Sequence, residues 1–143
     1  MTNKEAFCEW VEQFLHHRDA VTRTLQHIDK KADGYDLKAM HSTKTVFVLV
    51  EPYLRSFPEL LPKITADKEI VLFTFNAKEN VDVVIDSWKK LCDKPKLLIY
   101  FVNLRAAGET YWALKPYVHQ MVSDDRALKT GLHSLFATVE PVV

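Results

Sequence analysis

Glycine is scarce, at 3 residues in 143. A loop that wraps its backbone around a phosphate needs several glycines close together. Their absence excludes the P-loop and the dinucleotide-binding fingerprint. Cysteine is nearly as rare, with only Cys8 and Cys92. Two thiols make neither a disulfide scaffold nor a zinc pattern, and both read as reduced thiols inside apolar helical stripes. Long apolar runs are missing too. The longest, Val46–Val50 and Leu97–Val102, are far short of the ~20 residues a membrane-crossing helix needs. An excess of one charge is also lacking: 19 Lys and Arg balance 19 Asp and Glu. That argues against a polybasic coat for nucleic acid or an anionic membrane. The first twelve residues carry Lys4, Glu5, Glu9 and Glu12 in place of the apolar stretch of a secretion signal, so a cytoplasmic location is expected.

What remains is an ordinary globular composition, 48% hydrophobic and 27% charged, in a length that suits one domain spanning 1–143. Phe7, Trp10, Val11 and Phe14 fall at helical spacing, and Val21, Leu25 and Ile28 continue the pattern. Residues 1–31 therefore read as helix, either one long element or two with Asp19 capping the second. Asp33-Gly34 would end it, and Tyr35–Lys44 would be a connector. Residues 1–34 would form a helical layer or an arm beside a core of 45–143.

Three runs, Thr45–Val50, Ile70–Phe75 and Leu97–Val102, are β-branched and aromatic without polar alternation. That is the pattern of strands buried on both faces. The first connection holds Pro52, Pro58 and Pro62 and should form broken helical turns, with Ser56 to Glu59 as a capping box. In the second, Asn76 reads as a helix cap. Val81, Val84, Ile85, Trp88, Leu91 and Cys92 follow as one stripe of a helix that Pro95 ends. Residues 110–115 follow too closely for a crossover and should return as an antiparallel hairpin strand. A last helix is expected from about Asp124 to Thr138, with Gly131 permitting close packing or an early end. The expected fold is α/β: a helix-covered sheet of three parallel strands (45–50, 70–75, 97–102) plus the hairpin strand, with a long N-terminal and a C-terminal helix.

In such sheets ligands bind beyond the carboxyl ends of the strands. Glu51, Asn76, Asn103 and Arg105 stand at those ends and form the candidate ligand site. Arg105 and the helix start after Asn76 would favour a small anion, with Glu51 as an acceptor or base. Asn76, Glu51 and Asn103 also have structural readings, as a helix cap, a first-turn anion and a turn residue. Phe7, Trp10 and Phe14 are bulky enough for a protein interface if the sheet does not cover them. None of the six histidines forms an i, i+4 pair; Glu12, His16 and Asp19 share a helix face, and no metal or cofactor is assigned. His119 near Asp124 and Asp125 would be a His–carboxylate pair. Lys89, Lys90, Lys94 and Lys96 make a small basic patch that the helix dipole explains without nucleic acid. With no nucleophile motif present, the leading expectation is a non-catalytic module that associates with itself or a protein partner. An enzyme or binding domain for a small anion is the alternative, and an RNA-binding or nuclease-like protein the third.

Overall fold

A computed structural model describes residues 3–142. Its centre is one six-stranded sheet whose spatial order follows the chain. Helix α1 (Asn3–Thr22) precedes β1 (Leu25–Lys30), β2 (Leu37–His41) and β3 (Thr45–Val50). After broken turns that include α2 (Phe57–Leu60) come β4 (Glu69–Phe75), α3 (Lys78–Asp86) and α4 (Trp88–Cys92). Strands β5 (Leu97–Val102) and β6 (Tyr111–Leu114) then complete the sheet, and α5 (Pro116–Val122) and α6 (Leu128–Phe136) follow. The three apolar runs are strands, and β3, β4 and β5 are parallel to one another. Strand β6 returns antiparallel to β5, as its short connection requires.

The sheet is larger than three parallel strands and a hairpin, because β1 and β2 add an antiparallel pair at the β3 edge. The helical reading of residues 1–31 therefore fails after Thr22. Arg23 takes a left-handed φ of 54°, and the Asp19 carboxylate accepts the backbone N–H groups of Thr24 and Leu25 at 2.9 Å each. Asp19 thus turns the chain out of α1 into β1 rather than capping a second helix. The expected connector at 35–44 contains β2. The turn between them is built on Asp33-Gly34, both at positive φ (56° and 83°), with Tyr35 N–H donating to Ala32 O at 3.0 Å. That is the Asp-Gly hairpin signature, since two successive left-handed residues match the twist of paired strands.

Two apolar layers flank the sheet. On one face Phe7 and Val11 of α1 pack on Val48, Val50, Phe73, Phe75, Tyr100 and Val102. On the other, α2, α3, α4 and α6 cover Leu49, Ile70, Leu72, Ile99 and Phe101. The stripe expected after Asn76 is buried on that side, but the helix breaks at Ser87 into α3 and α4. Ala77, not Asn76, is the α3 cap, and Ser56 makes no capping bond. Helix α6 runs through Gly131, whose missing Cβ would meet nothing within 4 Å, so close packing is not the reason for that glycine. Cys8 and Cys92 are not joined in a disulfide. Among the described residues no helix is long and apolar enough to cross a membrane.

Candidate functional site

The carboxyl ends of β3, β4 and β5 point to one edge of the domain, as the parallel order demands. The structure does not gather the four expected ligand residues there. Glu51, following β3, lines a cleft of about 680 Å³. Asn103 and Arg105 line a separate hollow of about 510 Å³ together with Tyr53, Glu140 and Val142. Asn76 lies between them, fully buried, and works for the fold. Its Nδ2 donates to the carbonyls of Phe136, Val139 and Glu140 at 3.1, 3.0 and 3.4 Å, and its Oδ1 accepts from Trp112 Nε1 at 2.7 Å. Asn103 Nδ2 donates to Glu140 O at 2.9 Å, and its Oδ1 accepts from Arg105 N–H at 3.0 Å. The C-terminal segment 138–142 is thereby strapped across the ends of β4 and β5. Asn80, which has no distinguishing sequence mark, does similar work: it is buried, accepts Leu54 N–H at 2.8 Å and donates to Pro52 and Phe75 carbonyls at 2.9 Å each. The polar residues beyond β4 and β5 thus satisfy backbone groups that the covering loops would otherwise bury unpaired.

The interface trio is engaged inside the chain. Phe7 is fully buried and stacks on Phe75 at 4.7 Å, while the half-buried Trp10 and Phe14 stack on each other at 5.0 Å and meet Phe73 edge-on. His119 sits edge-on to Trp88 at 5.5 Å. No group of three or more His, Cys, Asp or Glu side chains able to hold a metal occurs among the described residues, so Glu12, His16 and Asp19 do not converge.

The larger of these two clefts draws its lining from α1, the β1–β2 turn, β2, β3 and the turns around α2. Helix α1 supplies Lys4, Glu5, Cys8, Glu9 and Glu12; the end of β1 and its turn supply Lys30, Lys31, Gly34, Tyr35 and Asp36. Leu37, Leu49 and Leu60 give it an apolar lining, and Lys63 follows α2. Three ion pairs tie α1 to the sheet. Lys4 Nζ lies 3.0 Å from Asp36 Oδ1 and 3.3 Å from Glu51 Oε1, and Lys30 Nζ lies 3.6 Å from Glu12 Oε2. The other Asp36 oxygen accepts Val50 N–H at 2.7 Å, which fixes this carboxylate against β3. Tyr35 Oη donates to Lys63 O at 2.7 Å and joins the hairpin turn to the far wall.

Partial burial disfavours the charged form of Lys4, but Asp36 and Glu51 outweigh it and raise the pKa above the ordinary lysine value. Burial, with Asp36 nearby, raises the Cys8 thiol as well, against the opposing pull of Lys4. Both groups are held in their protonated forms at neutral pH, so neither is poised as a nucleophile. The cleft is lined by charged side chains of both signs. With Lys4, Asp36, Glu51, Lys30 and Glu12 paired, Glu9, Lys31 and Lys63 lie outside those ion pairs. The sequence reading gives Lys4, Lys31, Asp36 and Lys63 no site role; Lys31 and Asp36 reach the cleft through the β1–β2 hairpin, which lies across the expected helix and connector. The Asp33-Gly34 pair was the signal for it.

No family model, no curated protein and no solved structure matches this chain.

Proposed function

We propose that the chain is a binding domain for a small zwitterion, held in the cleft between α1, the β1–β2 turn and the end of β3. The observation that carries the reading is how the lining divides. Its volume, about 680 Å³, falls within the roughly 300–1,000 Å³ of small-molecule sites. Tyr35, Leu37, Leu49 and Leu60 receive an apolar body. Lys31 and Lys63 take an anionic group, carboxylate or phosphate, and Glu9 takes an amine. A simple anion fits less well, because five lining carboxylates face four lysines. The paired charges keep α1 at its distance from the turn and so preserve the opening.

The test is a thermal-shift and calorimetric screen of dipeptides and amine-bearing phosphate esters, each beside its N-acetylated and its amidated or dephosphorylated counterpart. Ligands carrying both charges should raise Tm, since a ligand that binds only the native state stabilises it. Removing either charge, or making the double change Lys31→Ala and Lys63→Ala, should abolish the shift. A panel in which no zwitterion shifts Tm, or in which the single-charge counterparts bind equally well, would refute the proposal.

A further inference from the structure

We infer that the chain pairs with a second copy of itself through the outer face of α5, two-fold and antiparallel. Tyr117, Val118, Met121 and Val122 are 37, 48, 68 and 79% exposed. Among the described residues, every exposed large apolar side chain except Val21 lies on this one helix. The helix is not loose. Its inner face is fixed to α4: Pro116 is buried and its carbonyl accepts from Cys92 Sγ at 3.9 Å, the His119 ring meets Trp88 edge-on, and Gln120 Nε2 donates to Cys92 O at 3.0 Å. The helical period then directs 117, 118, 121 and 122 away from the domain. Such an outward apolar stripe on a firmly held helix is the mark of an association surface.

The charges around the stripe identify the occupant. Between Tyr117 and Val122 the only ionisable groups are Tyr117 and the inward-facing His119. Immediately before the helix stands exposed Lys115, and just beyond it exposed Asp124. A two-fold interface uses the same patch twice, so the patch must complement itself. Antiparallel α5 helices meet this condition: their apolar stripes face each other, each Lys115 approaches the other copy's Asp124, and the helix dipoles oppose. The cation nearest Asp124 within the chain, Arg126 at 3.7 Å, is 93% exposed and competes weakly. The patch is small against the ~800 Å² per partner of a standard interface, so the dimer should be weak and reversible.

Sedimentation equilibrium of the whole chain, from about 10 µM to 1 mM, tests this over the concentrations a small interface demands. The expected result is a monomer–dimer equilibrium, at least tenfold weaker in Met121→Glu, with circular dichroism and Tm unchanged because Met121 is exposed. Lys115→Glu and Asp124→Lys should each weaken the dimer several-fold at low salt, and the two together should restore it. A monomer throughout the range, or a dimer indifferent to Met121→Glu, would overturn the inference. Loss of the dimer in Met121→Glu without rescue in the double charge reversal would overturn the antiparallel pairing.

Discussion

Asn76 offers the sharpest test of why the sheet edge is polar. Replacing it with Ala deletes one acceptor and one donor group at a fully buried position. Trp112 Nε1, now 2.7 Å from Asn76 Oδ1, loses its partner, and so does the buried Val139 carbonyl at 3.0 Å. A buried polar group left unpaired costs about 1–3 kcal/mol, and water at the more open Phe136 and Glu140 carbonyls recovers part of the loss, so the expected destabilisation is about 2–4 kcal/mol. At a urea m-value of about 2 kcal/mol/M the unfolding midpoint should fall by roughly 1–2 M. Asn76→Asp sharpens the argument. It keeps the acceptor for Trp112 but turns a carboxylate oxygen toward three carbonyl oxygens, so at neutral pH it should be at least as damaging as Ala. In acid the protonated carboxyl can donate again, and the deficit relative to the parent chain should shrink. Urea denaturation followed by tryptophan fluorescence reads both variants. A loss below about 0.5 kcal/mol in Asn76→Ala, within the range of ordinary surface changes, would show that the strap is not held as described.

Three further outcomes follow from the same structure. Phe7→Ala, at a fully buried position, should cost about 3–5 kcal/mol in urea denaturation, and Trp10→Ala, half-buried, distinctly less; equal and negligible losses would mean that α1 does not dock on the sheet. Gly34→Ala should cost about 1–2 kcal/mol through its left-handed φ of 83° alone, since a Cβ there meets nothing within 4 Å. The third outcome concerns acid. Burial raises the Asp19 pKa, but bonds from Leu25 and Thr24 outweigh it, and the Lys38 bond lowers Asp33, so both carboxyls stand below their usual value. Stability from such groups is complete above the unfolded pKa of about 3.9 and is lost as pH falls through the folded values. The urea midpoint should therefore drop in acid, and Asp19→Asn should lower it at neutral pH while flattening that drop.

The three parallel strands were legible because burial on both faces leaves a run such as Ile70–Phe75 without alternation. Residues 25–41 were not. Strand β1 is an edge strand whose residues are all half-buried or exposed, so it lacks the alternation that marks a strand with one wet face. Its Leu25 and Ile28 happen to extend the helical period of Phe7, Val11 and Phe14. The only local sign of the hairpin was Asp33-Gly34, which a helix end uses equally well. At the site, sequence position alone placed Glu51 at the edge where the cleft lies, because the carboxyl ends of β3, β4 and β5 face the same way. It could not tell Asn76 from a ligand residue, since the groups Asn76 satisfies belong to a segment some sixty residues away. Helix α5 has no counterpart among the expected elements, and it is the exposure of Val118, Met121 and Val122 that separates their stripe from a core one.

Titrating the ¹⁵N-labelled chain with a zwitterionic dipeptide, while following its amide resonances, puts the site to the most direct trial. Shifts confined to residues 4–12, 31–37, 49–51 and 60–63, and abolished by N-acetylation of the peptide, would place the ligand between α1 and the hairpin turn. Unmoved amides at saturating peptide, or shifts centred on Asn103 and Arg105, would contradict the account.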